Sequence, residues 1–383
     1  MRPELVVDAD GHILEPGTLW EEYIEPQYRD LALRIKRDKK GLEYLEIEGR
    51  KSLTLQDGIL GSIGDIGLPR EELETRSLDP SKRKEVHWGH NDPPAAVDPH
   101  ARIEWMGERG IDVAVLYPTL GLNWGAEPRN PELAAAYCRA YNRWIEDFCQ
   151  PYPDRIVPVA HLPTLDVDES IKELKRAVKA GARGTFIYAA PPNGKPYGDR
   201  YYDPLWAEAE AQEIPLGIHV SFHAGFIGSH LYPSGLFKGG WFYNLMLFGD
   251  VLLAFTSLFN GGVFERFPRL KVAVLEVGCG WVAYWLERMD SVYDFIGFTT
   301  PMKVKPSEYF HRQCWVSVEP DEELIPVIGE LIGPDKLVWS SDYPHVEARP
   351  EALDDTRKVL ESLPDEKSRM ILGTNAVKLY NLS

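Results

Sequence analysis

Short apolar runs recur along the chain, and polar residues collect where those runs end. Eight runs have strand length: Leu5–Asp10, Asp112–Tyr117, Ile156–Ala160, Gly184–Ala189, Pro215–Ser221, Lys271–Val277, Gln313–Val318 and Leu337–Ser341. Helical periodicity separates most of them. Asn130-Pro131-Glu132 opens one helix, with Asn as N-cap and Pro in the first turn. Leu133, Tyr137, Ala140, Tyr141, Trp144 and Phe148 then fall on a single face. A second helix is expected from Asp168 to Ala180 with Gly181 as its stop, a third from Pro204 to Gln212, and a fourth after Gly280. Strands alternating with helices predict a parallel sheet covered by helices, and eight units predict a (β/α)8 TIM barrel. An open doubly wound sheet fits less well, because no Gly-rich phosphate loop follows the first strand.

Two stretches interrupt the repeat. Residues 31–97 hold a predicted hairpin, Leu31–Arg37 and Leu42–Glu48 about an Asp38–Gly41 turn, followed by a tract rich in Gly, Pro and charge. An insertion after the first strand falls at the active-site end and is suited to be a lid. Residues 1–383 are therefore expected to form a single barrel domain carrying this insertion. Residues 224–262 are aromatic and apolar, and are expected to form a pocket wall or a homodimer surface. The run from Trp241 to Phe259 is broken by Asn244, Gly249 and Asp250, which predicts a buried helix rather than a membrane span.

Composition narrows the function. The net charge of −17 argues against nucleic acid and anionic membrane as partners. The four cysteines lack zinc-ribbon or CxxC spacing, and no apolar leader follows Met1, so a reduced, cytoplasmic setting is expected.

Side chains alternate along a strand, so late polar positions can be assigned to faces. Asp8, Asp10 and His12 share one face; so do His219, Ser221 and His223; Val272, Val274 and Glu276; Phe186 and Tyr188; Val338, Ser340 and Asp342. In each set the polar candidate comes near the carboxyl end, where barrels of this kind carry their chemistry. Carboxylates and imidazoles gathered there can clamp a divalent metal ion. Blander readings exist for each: Asp10 as a turn cap, Glu276 in a buried pair with an arginine, Tyr188 as a pocket wall, His223 as a pocket hydrogen-bonder. His345 is read as orienting Asp342, and His161 as a side chain inside the barrel.

Asp10-Gly11-His12, Gly217-Ile218-His219, the run Phe264 to Lys271, Trp339-Ser340-Ser341-Asp342-Tyr343-Pro344-His345 and the closing Ile371 to Leu382 resemble, in that order, the amidohydrolase superfamily. The similarity is to its amidohydrolase-related (family 2) branch and spans nearly the whole chain outside 31–97. The resemblance implies a metal held by Asp10, His12, His219 and Asp342. Decarboxylase members carry a histidine at the end of strand six, where this chain has Glu276. Binuclear members bridge two ions from strand four, where this chain has Tyr188. The resemblance thus implies Zn, Mn or Fe, as one ion or as two with Tyr188 and Glu276 completing the second site.

The expected activity is hydrolysis of an acyl bond (amide, ester, lactone or thioester) in a bulky small molecule by metal-activated water. Asp342 would take the water proton, and Glu276 or His223 would protonate the leaving group. The rival reading is non-oxidative decarboxylation of an aromatic or enoic acid, and the missing strand-six histidine weighs against it. A non-catalytic binding barrel is the third reading.

Overall fold

The structure is a computed structural model that describes residues 5–55, 57–64, 66, 68–78, 81, 82, 85–222, 225 and 241–382. Every predicted strand is present. They are β1 (Val7–His12), β5 (Val113–Tyr117), β6 (Ile156–His161), β7 (Gly184–Tyr188), β8 (Leu216–His219), β9 (Val272–Leu275), β10 (Cys314–Val318) and β11 (Leu337–Trp339). They pair in parallel in the order β1-β5-β6-β7-β8-β9-β10-β11. The segment after β11 returns to β1. Asp342 N donates to the Asp10 carbonyl (3.3 Å) and His12 N to the Tyr343 carbonyl (2.8 Å), nearly closing a barrel.

Alternation along the strands divides the core in two. Val7, Val115, Val157, Val159, Phe186, Ala273, Leu275 and Val338 fill the barrel. Ile156, Ala160, Ile187, Ile218, Val274 and Val316 face outward into the helical layer. That layer includes the helix Pro131–Cys149, where the Asn130 side chain accepts from Glu132 N and Leu133 N as its N-cap. Its buried face holds Leu133, Tyr137, Tyr141, Trp144 and Phe148. Each such side chain contributes roughly 1.5–3 kcal/mol when fully buried. The barrel floor is closed from below by the helix Asn375–Tyr380. The Tyr380 hydroxyl donates to the Ala9 carbonyl (2.9 Å) and lies 3.0 Å from the Tyr117 hydroxyl.

The insertion forms a small antiparallel sheet of β2 (Arg34–Arg37), β3 (Glu43–Ile47) and β4 (Arg50–Lys51). Its first turn is the predicted one: the Asp38 side chain accepts from Lys40 N and Leu42 N, and Gly41 takes a φ of 82°. The insertion rests on loops at the carboxyl ends of the barrel strands. Trp88 Nε1 donates to the Glu15 carbonyl (2.8 Å), Ile63 O accepts from Val346 N, and Glu127 accepts from Ser52, Leu53 and Thr54.

The apolar run after strand five is the helix Trp241–Asn260. By length and composition it could cross a membrane, and 44% of its most apolar window is buried inside the protein. Phe255 packs on Phe259, Trp281 and Phe310, whereas Trp241, Leu245 and Leu253 are exposed.

Candidate metal centre

Irregular backbone builds the site. Strand β1 pairs with β5 as Val7↔Val113, Asp8↔Ala114, Gly11↔Leu116 and His12↔Tyr117, with a register shift between Asp8 and Gly11. Ala9 and Asp10 together oppose Val115, which is a β-bulge. The bulge resets the alternation, so Asp10 and His12 face the axis while Asp8 faces away from it. Strict alternation had put all three on one side, and the structure corrects that. Asp8 instead accepts from Ser341 N (2.9 Å) and Ser341 Oγ (2.6 Å). Burial raises its pKa, and the Ser341 hydrogen bonds and Arg102 pull it back. Gly11 is required here: a Cβ would lie 2.6 Å from the Asp8 carboxylate and 3.3 Å from Arg102. Arg102 Nη2 meanwhile donates to the His12 carbonyl (2.8 Å).

Glu276 is delivered by a second irregularity. Ala273 and Leu275 face the axis and Val272 and Val274 face the helices, so alternation alone would send Glu276 outward. A φ of 55° at Glu276 turns it back toward the axis, and Asp342 has a φ of 53° at the end of β11. Left-handed backbone at residues other than glycine costs on the order of 1 kcal/mol and concentrates at functional sites.

The side chains then converge. His12 Nδ1 is 2.9 Å from the Pro118 carbonyl, and His219 Nδ1 is 2.7 Å from the Val220 carbonyl. A carbonyl only accepts, so each Nδ1 carries a proton and each ring turns its Nε2 inward. These two Nε2 atoms are 3.3 Å apart. His219 Nε2 lies 3.3 Å from Asp10 Oδ1 and 3.0 Å from Glu276 Oε2. His12 Nε2 lies 3.4 Å from Glu276 Oε2 and 3.6 Å from both Asp10 Oδ1 and Asp342 Oδ1. Asp10 Oδ1, Glu276 Oε2 and Asp342 Oδ1 are buried without a well-directed hydrogen bond among the described residues. Lone pairs that face lone pairs in a buried site need a cation between them.

The donors form two overlapping groups, Asp10, His12, His219, Glu276 and His12, Glu276, Asp342, His345, each with its donor atoms within 4.8 Å. The chain therefore carries a His/Asp/Glu cluster able to hold a divalent metal ion. Protonation follows the same electrostatics. Burial pulls the His219 pKa down, but Asp10 and Glu276 outweigh it and raise it well above the usual value, so a proton serves there as the cation. Burial pushes Glu276 up, yet His219 and His12 bring it below the usual carboxylate range. Burial and the Glu276 carboxylate raise Asp342 well above that range.

The remaining predicted residues fall elsewhere. Tyr188 does not offer its oxygen to the cluster: its hydroxyl donates to the Gly121 carbonyl (2.6 Å), and burial raises its pKa well above 10.0. A neutral phenol so occupied lines the barrel and cannot bridge two ions. His161 is buried between Trp124, Phe186 and Tyr188. His223 lies outside the described residues. Sequence reasoning missed Glu15 and Glu319. Glu15 is buried and its pKa is pushed up to about 7 by that burial, despite backbone N–H donors from 119–121. An acid directly after the apolar pair Ile13-Leu14 was the available signal. Glu319 is raised to about 8, first by burial and then by Glu276. It follows the strand Cys314–Val318, a position like that of Glu276 after its own strand.

The chain belongs to the amidohydrolase family, whose profile (Amidohydro_2) matches residues 7–382. It is an enzyme of the amidohydrolase superfamily. It is similar to decarboxylase orsB of Emericella nidulans, with 30% identity over 242 residues covering 60% of this chain and 71% of the relative. It is also similar to the 2-amino-3-carboxymuconate-6-semialdehyde decarboxylase of Dictyostelium discoideum, with 28% identity over 296 residues covering 74% and 77%. Among solved structures, the amidohydrolase map2389c of Mycobacterium avium subsp. paratuberculosis K-10 superposes with a TM-score of 0.82 at 23% identity, covering 99% of this chain and all of that one. The decarboxylase relatives overturn the expected acyl-bond hydrolysis. The same donor set serves both chemistries. Glu276 Oε2, at the end of the sixth barrel strand, lies 3.4 Å from His12 Nε2.

Proposed function

We propose that this protein is a metal-dependent, non-oxidative decarboxylase of a small aromatic or enoic carboxylic acid. The observation that carries the reading is the pairing of Glu276 with Asp342 beside the inward-facing His12 and His219 Nε2 atoms, in a chain whose curated relatives are decarboxylases. Asp10, His12, His219 and Asp342 would hold the ion, and their mix of carboxylate and imidazole suits Mn, Zn or Fe. When bound, the ion supplies the positive charge that anchors the substrate carboxylate and a neighbouring oxygen.

The protein's own part is proton delivery. Asp342 and Glu276 present donor atoms within 4.8 Å of each other, and two buried carboxylates that close favour sharing one proton. As the carbon–carboxylate bond breaks, its electron pair stays on the ring or alkene carbon. That carbon takes the shared proton, and carbon dioxide leaves. The test is incubation of metal-loaded protein with hydroxybenzoates and enoic acids in deuterated water. The expected result is carbon dioxide and one deuterium at the vacated carbon. Turnover of acyl substrates without carbon dioxide from any acid would sink the proposal.

The same reading includes a homodimer in a reducing cytoplasm. All four cysteines are free and buried. Trp241, Leu245, Leu253, Tyr284 and Phe295 are exposed on the helices Trp241–Asn260 and Val282–Ile296, more apolar surface than a solvated face needs. Light scattering that finds only monomer at high concentration would remove the dimer.

A further inference from the structure

His345 is buried in the site, yet proton delivery does not use it. Its Nδ1 lies 2.7 Å from Asp342 Oδ1, and its ring packs 4.1 Å from that of His12. Its Nε2 lies 2.9 Å from Thr119 Oγ1, on the loop after β5 and 226 residues away in sequence. That loop is itself held firmly. Glu15 Oε2 accepts from Thr119 N (3.2 Å) and Leu120 N (2.8 Å), and Glu15 Oε1 accepts from Gly121 N (2.9 Å). Asn123 Nδ2 donates to the Thr119 carbonyl (2.8 Å). The neighbouring Pro118 carbonyl is the partner of His12 Nδ1. One pinned loop therefore orients two imidazoles of the site.

The tautomer follows from the partners. An ionised Asp342 carboxylate only accepts, which places the ring proton on Nδ1, and the Thr119 hydroxyl, able to donate or accept, then donates to Nε2. Asp342 needs such a grip because it stands on left-handed backbone beyond the end of its strand. Nδ1 stands within hydrogen-bond reach of Oδ1 at 2.7 Å, short of a well-directed bond. We propose that His345 is a positioning residue for Asp342, and that Thr119, on a loop anchored by Glu15, sets its tautomer and orientation. Partners of this kind, one bond removed from a metal, typically change affinity or activity 10–100-fold when lost.

The proposal rests on Asp342 being a metal ligand, as in the decarboxylase reading, but its test does not need turnover. Mn(II) is the probe. Titration followed by electron paramagnetic resonance reads both affinity and the symmetry of the bound ion in parent, Thr119→Val, Thr119→Ser and His345→Phe proteins. Thr119→Val and His345→Phe should bind Mn(II) about 10–100-fold more weakly with a changed spectrum. Thr119→Ser, which keeps the hydroxyl, should match the parent. Parent affinity and spectrum in Thr119→Val overturn the proposal, even if His345→Phe fails to fold. Equal weakening in Thr119→Ser also overturns it, since the hydroxyl would then not be the cause. Tight Mn(II) binding with the expected variant pattern, but no carbon dioxide from any acid, would remove the decarboxylase reading and leave His345 in its role.

Discussion

The two halves of the barrel mouth are built by opposite means. At the ends of β5, β6 and β7 the strands keep strict alternation. Tyr117, His161, Phe186 and Tyr188 simply continue the inward series of Val115, Val159 and their neighbours. Rings pack on rings there, with His161 at 4.7 Å from Trp124 and 4.8 Å from Phe186. The loop above seals this half through the Tyr188–Gly121 bond, and it approaches so closely that a Cβ on Gly125 would overlap the Tyr188 ring. At the ends of β1, β9 and β11, by contrast, a bulge and two left-handed residues bring in Asp10, Glu276 and Asp342. Neutral rings fit the pleat and gain from contact. Carboxylates at one buried point fit neither the pleat nor each other, so backbone strain and an external cation must hold them.

Breaking the ionic half should have the largest effect. Asp10→Ala and His219→Ala are expected to lose bound metal and to lower decarboxylation by roughly 1000-fold or more. His161→Phe, in the aromatic half, should keep its metal. Elemental analysis beside a carbon dioxide assay separates the two outcomes.

Acidification should also act on the ionic half. The raised pKa values of His219 and Asp342 mean that an entering ion displaces protons. Metal affinity should therefore fall as pH falls, by up to about tenfold per pH unit for each proton displaced. Mn(II) titrations across neutral pH measure the slope, and a flat profile would contradict the assigned donors.

The aromatic half has a pH dependence of its own, read in stability. Burial lowers the His161 pKa from 6.5 to about 3. Between these values the unfolded chain binds the extra proton, so stability present above pH 6.5 is lost as pH drops toward 3. The slope is at most about 1.4 kcal/mol per pH unit. Denaturant melts of His161→Phe should show a shallower acid dependence than the parent.

The smallest effect sharpens the strain argument. Glu276→Gly and Glu276→Ala both remove the carboxylate, and in the metal-free protein the glycine variant should be the more stable of the two by about 1 kcal/mol, since glycine takes a positive φ without penalty. Both should abolish turnover at the same time. Thermal melts showing no gain of glycine over alanine would mean that the left-handed turn at Glu276 stores little strain.

Regular structure was legible in the sequence because apolar periodicity encodes it directly. All eight barrel strands, the Asn130-capped helix and the Asp38–Gly41 turn were readable for that reason. The convergence of Asp10, His12, His219 and Asp342 was readable too, through the family likeness and strand-end position. What alternation could not show was its own interruption. Asp8 and Asp10 are both acids, so nothing in their identity reveals a bulge between them. The inward turn of Glu276 depends on one backbone angle, and no glycine marks the place. The Tyr188 hydroxyl is held by a carbonyl on another loop, a partner invisible to residue type. The Thr119–His345 contact joins segments more than two hundred residues apart. Hydrolysis and decarboxylation call for the same donors, so residue type alone does not choose between them.

The Tyr380 hydroxyl on the Ala9 carbonyl gives the site a schedule. Ala9 belongs to the bulge that presents Asp10, and its clamp lies 371 residues downstream. A contact of that span is among the last a chain can close, because local pairings form first and long loops cost entropy. The first strand can be synthesised and can begin pairing long before its bulge is gripped. Competence to take up metal should thus appear late in refolding, after most helical signal has returned, and Tyr380→Phe should delay it further. Timing the two signals in one stopped-flow experiment would show whether the floor of the barrel is the final condition for its mouth.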